Sequence, residues 1–520
     1  MVAPAMSVLR RMAHCSRVLF HPVTNGRGRA LHNNDSISGD GTSSDGNQRG
    51  ADFTRRSPYA EEIERREADV IDKLCRDFRT DYARVLRKKG ELIPNQTDIL
   101  IIGGGVVGSS IAYWLKRRAP KSFSVLVVER DPTYQRCATT RSAGGIRQQF
   151  SLKENCQMAL FGAEFLRDYK YYLGEDAPDP HFQPEGYLTL ADTEEKAVLM
   201  EKNAKLQREC GTRIELLTKE TIKSRFPYIR NDDVELASYG LQNEGWFDPW
   251  ALLQGLKQFN LRQQTGYLNA ELVDFRFRSL KNLEAPQTYE PTNHAIVRLP
   301  NGEIQEITFA LLILAAGPQT GDVGRLLRIG TGSNVLGVPI PVEPRKKAIY
   351  TFHAPEAPIV GFPFLIDPTG VYCRREGLGG QFICGQGLCN EEDPCNDMDL
   401  DTIDEAYFKE VGIAKGGAKV IWPTLAKRAP VFEKVKLGRS WAGFYDYNYL
   451  DEHAIIGWHP YYHNCLICSG FSGHGLQMAI AAGRSIMEML IDGEFVSIDL
   501  ERFSFTRVIT GETIYERDVV

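Results

Sequence analysis

The chain lacks a charge excess of either sign that would define a partner. Its 62 Lys and Arg stand against 67 Asp and Glu, a net charge of -5, so there is no basic surface on which to argue nucleic acid binding. Its 11 cysteines are an odd number scattered over 520 residues. They lack the even, close spacing of a secreted disulfide framework, and a reducing compartment fits that usage. Cys465 and Cys468 form a C-x-x-C, but in a predicted strand, where positions three apart face opposite sides. No second cysteine pair or histidine pair completes a metal site, and no metal is expected. Long apolar runs are also missing. Residues 99–115 are uncharged over 17 positions, the lower limit for a membrane span, but three adjacent glycines and two serines interrupt them. No transmembrane span is expected.

What the chain has is length and apolar content, 42% hydrophobic over 520 residues, enough for a large two-lobed body. Residues 1–34 hold Arg10, Arg11, Arg17, Arg27 and Arg29, no acid, and interspersed apolar side chains. That composition predicts a mitochondrial presequence, with a basic tail as the alternative. Residues 35–58, rich in Ser, Gly, Asp and Asn, read as a linker. In the charged segment 59–90, Ile63, Ile71, Leu74, Phe78, Val85 and Leu86 recur at helical spacing. This amphipathic helix could pack on the chain's own body or dock on a partner or a membrane surface.

The densest signal is at 98–131. A buried strand (99–102) meets a turn with Gly103, Gly105 and Gly108, a helix opens there, and a second strand (124–128) ends at Glu129. Gly103 permits the tight turn, Gly105 lets backbone approach a pyrophosphate, and Gly108 allows close packing of helix and strand. The helix N-terminus offers N–H groups to phosphate. Glu129 lies 21 residues past Gly108, where a carboxylate accepts from the ribose hydroxyls. Two more strand-to-turn junctions follow, at 309–317 ending in Ala315, Ala316 and Gly317, and at 465–475 ending in Gly470, Gly473, His474 and Gly475 before a helix from about 476 to 490. A small-residue loop, 137–150, precedes a helical segment reaching about residue 172.

These motifs, with 451–457 (Asp-Glu-His-Ala-Ile-Ile-Gly) and 245–249 (Gly-Trp-Phe-Asp-Pro), resemble the D-amino-acid oxidase superfamily, in its sarcosine oxidase and dimethylglycine dehydrogenase branch. The resemblance covers most of 97–500. It implies an α/β, two-lobed fold, a Rossmann-type FAD-binding domain interleaved with an antiparallel-sheet substrate domain. The expected division is FAD domain 97–177, 246–334 and 391–500, substrate domain 178–245 and 335–390, and a C-terminal tail at 501–520. The implied FAD site comprises Gly103, Gly105, Val106, Val107, Gly108, Glu129, Arg130, Thr140, Ser142, Ala143, Gly144, Ala316, Gly317, Gly470, Gly473, His474, Gly475, Leu476 and Gln477.

The branch removes hydride from an amine carbon to the flavin. Its carboxylate clamp uses two cations. Arg147 matches the first, and Gln477 stands at the second, which weakens the clamp because a charge-assisted bond is about twice a neutral one. His474 matches the active-site histidine. Arg374 and Arg375 either supply the missing cation or are solvated charges on a strand edge. Ser142 replaces a flavin-linking histidine and no cysteine lies between 440 and 450, so FAD is expected to be non-covalent. The segments 244–250, 341–346, 441–448 and 470–477, with the arginine-rich N-terminus, narrow the resemblance to the mitochondrial FAD-dependent oxidoreductase domain-containing family. That implies a role in assembly of respiratory complex I, at the matrix side of the inner membrane, with complex I subunits or assembly intermediates as partners. The alternative is a matrix amine or amino-acid dehydrogenase with a small amine substrate.

Overall fold

The computed structural model describes residues 94–277, 291–387, 399–403, 405–409 and 421–516. The expected presequence, linker and charged helix all lie outside them.

The run at 99–115 divides where its glycines predict. Gln96–Ile102 is a strand, Val106–Arg118 a helix, and Val125–Glu129 returns parallel to the first strand. Ile99, Leu100 and Ile101 are fully buried, as a parallel strand covered on both faces requires. The first sheet runs in the order Ile455–Trp458, Cys465–Ser469, Ile304–Leu314, Gln96–Ile102, Val125–Glu129, Gly266–Asn269, with an antiparallel extension through Thr292–Arg298 and Glu271–Phe277. The carboxyl ends of its central strands carry the three small-residue turns, so ligand space lies there. Among the described residues no helix is long and apolar enough to cross a membrane.

The last long helix, Gly475–Ile491, crosses Val106–Arg118 at a point with room for no extra atom. A Cβ on Gly483 would lie 2.4 Å from the Ser110 hydroxyl. The helix Lys153–Arg167 approaches the same helix through Gly162, whose Cβ would lie 2.4 Å from the Gln477 carbonyl. These small residues let the three helices pack closely on one another.

The second sheet orders its strands Lys436–Asn448, Val342–His353, Gln381–Gln386, Val371–Glu376, Phe364–Ile366, Tyr187–Ala191, Leu236–Gly240, Ile214–Leu217. All its pairings are antiparallel except Phe364–Ile366 with Tyr187–Ala191. Phe352, Phe362, Phe382 and Phe432 fill the core on one face. Residues 436–448 pair along Val342–His353. The substrate sheet therefore continues past 390 to Asn448, a correction to the expected boundary, because its edge strand is supplied from 50 residues further along the chain. A two-stranded ladder, Gly145–Ile146 with Gly245–Trp246, pins the loop after the second strand to this lobe. Residues 501–516 are packed on the body: Ile514 and Phe503 belong to the main core.

Candidate active site

A cavity of about 1580 Å³ runs between the sheets, larger than the roughly 300–1,000 Å³ of an ordinary small-molecule site. One end is formed by Glu129, Arg130 and the glycine turn, the other by Arg147, Tyr187 and His474.

At the first end each glycine has its own reason. Gly103 has φ +103° and a Cβ there would lie 2.2 Å from the Ala315 carbonyl oxygen. Gly108 would place a Cβ 2.0 Å from the Gly103 carbonyl oxygen, so it packs the turn rather than lining the cavity. At Gly105 a Cβ would meet nothing nearer than 3.4 Å; its open side faces the cavity beside Val106 and Val107. Glu129 is aimed by backbone: its Oε2 accepts from Gly104 N at 2.8 Å and its Oε1 from Asp131 N at 2.9 Å. That leaves lone pairs on a fixed carboxylate for ribose hydroxyls.

The remaining expected residues separate into two groups. Ser142, Ala143, Ala316, Gly317, Gly473, His474, Gly475, Leu476 and Gln477 line the cavity with Arg130. Thr140, Gly144 and Gly470 do not. The Thr140 hydroxyl donates to the Tyr134 and Cys137 carbonyls at 2.5 and 3.1 Å, and its neighbour Thr139 lines the cavity instead. Gly144 packs on the Phe247 carbonyl and Gly470 on Val342. Both have positive φ, so they shape the turns from behind.

At the other end, the Arg147 guanidinium lies 5.3 Å from the Phe150 ring and 5.8 Å from the Tyr187 ring. Burial draws its pKa downward, against the opposing influence of Tyr187, Glu244 and Glu516. His474 caps the helix Gly475–Ile491 and meets Phe150 edge-on at 5.3 Å. Burial, then the charges of Arg147 and His453, lower it to about 3, so the imidazole is neutral. Gln477 does not act as a plain substitute for a cation. Its Oε1 accepts from the Arg147 backbone N–H at 2.9 Å, so it fixes the arginine's loop.

Arg374 and Arg375 fit neither expectation. Both are buried, and neither lines the cavity. Arg374 Nε donates to the Ala143 carbonyl at 2.7 Å while its guanidinium lies 4.4 Å over Trp246. Arg375 holds Glu185 at 2.6 Å. They are structural ties, one of them onto the cavity loop. The pairing of Val371–Glu376 deep inside the sheet, invisible to local pattern, removes them from solvent.

Sequence reasoning also missed three groups. Tyr187 lines the cavity, stacks on Phe364 at 4.2 Å and hydrogen-bonds Arg147. Asp446 lies buried beneath the last turn and accepts from Gly470 N at 2.7 Å and Phe471 N at 3.0 Å. Glu516 accepts from Ser151 N and Oγ at 2.5 Å and Asn155 Nδ2 at 2.6 Å. It so caps the helix Lys153–Arg167, whose own N-cap, Leu152, has no side-chain bond. The aspartate stands inside the motif 441–448, the only one of the three with a sequence signal.

Among the described residues no cluster of His, Cys, Asp or Glu could hold a metal. Cys465 and Cys468 are buried free thiols, which burial raises in pKa.

Comparison with known proteins agrees with this geometry. FAD-dependent oxidoreductase domain-containing protein 1 of Xenopus laevis is 45% identical over 442 residues, 83% of this chain and 86% of that protein. Its Drosophila melanogaster homolog is 41% identical over 428 residues, 81% and 80% of the two chains. Monomeric sarcosine oxidase of a Bacillus strain is 23% identical over 81% of this chain and 99% of that one. The crystal structure of L-proline dehydrogenase from P. horikoshii superposes with a TM-score of 0.66 at 23% identity, covering 81% of this chain and all of that one. Residues 98–489 match the DAO family profile, described as FAD dependent oxidoreductase. The chain belongs to this family of FAD-dependent oxidoreductases, and FAD is its cofactor.

Proposed function

We propose that the chain oxidises a small amine bearing a carboxylate, removing hydride from the carbon next to nitrogen. The observation that carries this reading is the Arg147 guanidinium in the cavity wall between Phe150 and Tyr187, with neutral His474 beside Phe150. The similar proteins named as sarcosine oxidase and L-proline dehydrogenase act on molecules of that kind.

FAD, when bound, accepts the hydride. The chain's own groups do the rest. Glu129, Gly105 and the helix N-terminus at Val106 would hold the nucleotide portion, and the turn 470–475, braced by Asp446, would wall the space left for the rest of the cofactor. Arg147 binds and orients the carboxylate. The aromatic walls Tyr187 and Phe364 exclude water, and His474, uncharged, can accept a hydrogen bond without opposing a cationic amine. Attachment of FAD is non-covalent in this reading: Ser142 Oγ accepts from Gly144 N at 3.1 Å, and Cys137, the cavity's cysteine, lies by Gly105 at the nucleotide end.

The test is anaerobic mixing of the holoprotein with N-methylated and ordinary amino acids while flavin absorbance is followed. Bleaching by a carboxylate-bearing amine, lost in Arg147→Met, supports the reading. A flavin that no amine reduces sinks it.

A second reading adds a mitochondrial address and a role in complex I assembly. Its support is the acid-free, arginine-rich segment 1–34 and the motifs shared with the FAD-dependent oxidoreductase domain-containing proteins. Under it, deleting the chain lowers complex I content, and Arg147→Met and His474→Gln forms restore it. Failure of the intact chain to enter mitochondria rejects this second reading alone.

A further inference from the structure

The start of the helix Lys153–Arg167 and the end of the helix Glu194–Glu209 meet at two free cysteines. Cys156, in the first turn of one helix, is fully buried, and its Sγ donates to the Phe150 carbonyl at 3.5 Å. Cys210, the C-terminal cap of the other, is partly exposed, and its Sγ lies 4.0 Å from the Lys153 carbonyl. The two thiols are in hydrogen-bond contact with each other.

For two thiols to be oxidised to a bond, a second sulfur must be in reach and the oxidant must have access. Cys373 and Cys384 stand opposite one another across paired strands, but both are fully buried. Cys156 and Cys210 meet both conditions, because solvent reaches the Cys210 end. The pair is also unequal. Burial raises the pKa of each thiol. At Cys210 the hydrogen bond from Cys156 and the charge of Lys153 oppose that rise, whereas at Cys156 the neighbouring Cys210 adds to it. Cys210 is therefore the attacking sulfur and Cys156 the resolving one.

We propose that Cys156 and Cys210 are a site of reversible oxidation to a disulfide, with a hydroperoxide as the oxidant. The Cys210 thiolate attacks one oxygen of hydrogen peroxide. The O–O bond breaks, an S–OH group forms, and the departing hydroxide takes up the proton that Cys210 shed, leaving as water. The Cys156 sulfur then attacks the Cys210 sulfur; the S–S bond forms, the S–O bond breaks, and a second water carries off the Cys156 proton. Two thiols lose two electrons and two protons, and one peroxide becomes two waters. A dithiol reverses the step by exchange.

The site stands without the proposed reaction, and it has a consequence for the cavity. The Phe150 carbonyl accepts from Cys156 at 3.5 Å and from Gln207 Nε2 at 3.0 Å. Oxidation removes the first of these donors, at a residue whose ring faces both Arg147 and His474.

The experiment uses FAD-loaded protein reduced with dithiothreitol, desalted, treated with hydrogen peroxide, alkylated under denaturing conditions and digested without reductant. Mass spectrometry is expected to find the Cys156 and Cys210 peptides linked to each other and separated again by dithiothreitol, while Cys373, Cys384, Cys465 and Cys468 are recovered as alkylated thiols. Cys156→Ser should stop the reaction at the Cys210 sulfenic acid, captured by dimedone, and Cys210→Ser should leave Cys156 a thiol. Wild-type Cys210 driven to sulfinic acid beside an unchanged Cys156 overturns the proposal. So does Cys210 linked to a different cysteine, an unchanged pair, or a Cys156 that oxidises equally well in Cys210→Ser. If a variant does not fold, the wild-type digest decides.

Discussion

Asp451 and Arg507, 56 residues apart in sequence, form a buried two-point ion pair beneath the last flavin-side turn. Arg507 Nε lies 2.7 Å from Asp451 Oδ2, and one terminal nitrogen lies 3.2 Å from Oδ1. The same guanidinium donates to the carbonyls of Phe503, His453 and Ala454, and Asp451 also accepts from His453 N and Ile514 N. Every lone pair and proton is engaged, the condition under which a buried pair is tolerated. The Asp-Glu-His motif thus serves here as an anchor for the chain's end.

Removing one partner leaves a buried charge uncompensated. Arg507→Met is expected to lower stability by about 3–5 kcal/mol. Arg507→Met with Asp451→Asn should cost less than Arg507→Met alone, by denaturant unfolding of the holoprotein. Additive losses would show that the two groups do not act as a pair.

Arg147→Met removes the charge in the cavity wall while leaving the nucleotide end untouched. The expected result is a roughly 10- to 100-fold weaker affinity for a carboxylate-bearing amine, the worth of a charged hydrogen bond, with flavin content unchanged. Stopped-flow reduction at varied substrate measures it.

His474 is held at about 3, below its ordinary 6.5. In the folded protein it therefore stays neutral from about pH 5 upward, and its neutrality adds stability above 6.5 that is lost as pH falls toward 3. A pH profile of flavin reduction between about pH 5 and pH 8 should show no limb that disappears in His474→Gln. A limb near 6.5 that vanishes in the variant would contradict this geometry.

Glu244 is shifted the opposite way. Burial lifts it from 4.5 to about 7, against bonds from Gln148 N at 2.7 Å and Gln149 Nε2 at 2.8 Å and the charge of Arg147. The folded state keeps a proton that the unfolded chain releases, so this contribution is complete below 4.5 and lost as pH rises through 7. Glu244→Gln should flatten the fall in stability between about pH 5 and about pH 8 by on the order of 2 kcal/mol. Thermal unfolding at the two pH values measures the difference.

The legible parts of the chain are those whose chemistry is local. The turn at Gly103, Gly105 and Gly108 places a demand on backbone that only glycine meets, and the strand-turn-helix at 465–491 carries the same kind of mark. The segment 245–249, read only as part of the resemblance, holds a cap that the structure shows: Asp248 accepts from Trp250 N at 2.8 Å at the start of Pro249–Arg262. Groups defined by long-range packing left no trace. Arg374 reaches Ala143 across 231 positions, and Glu516 reaches Ser151 across 365. Whether an arginine is solvated or stacked under Trp246 depends on which strands flank it, and period-two alternation does not encode that. The substrate lobe's true edge at Lys436–Asn448 was hidden for the same reason, since an edge strand looks alike whichever sheet receives it.

The cap supplied by Glu516 divides the cavity by the reach of its supports. The helix it closes follows directly on the loop that bears Arg147 and Phe150, and Arg507 ties residues 503–507 to Asp451. Glu129, at the nucleotide end, is held by Gly104 N and Asp131 N within its own strand-turn unit. Loss of the contacts made by Glu516 and Arg507 therefore loosens the reaction end of the cavity and leaves the nucleotide end in place.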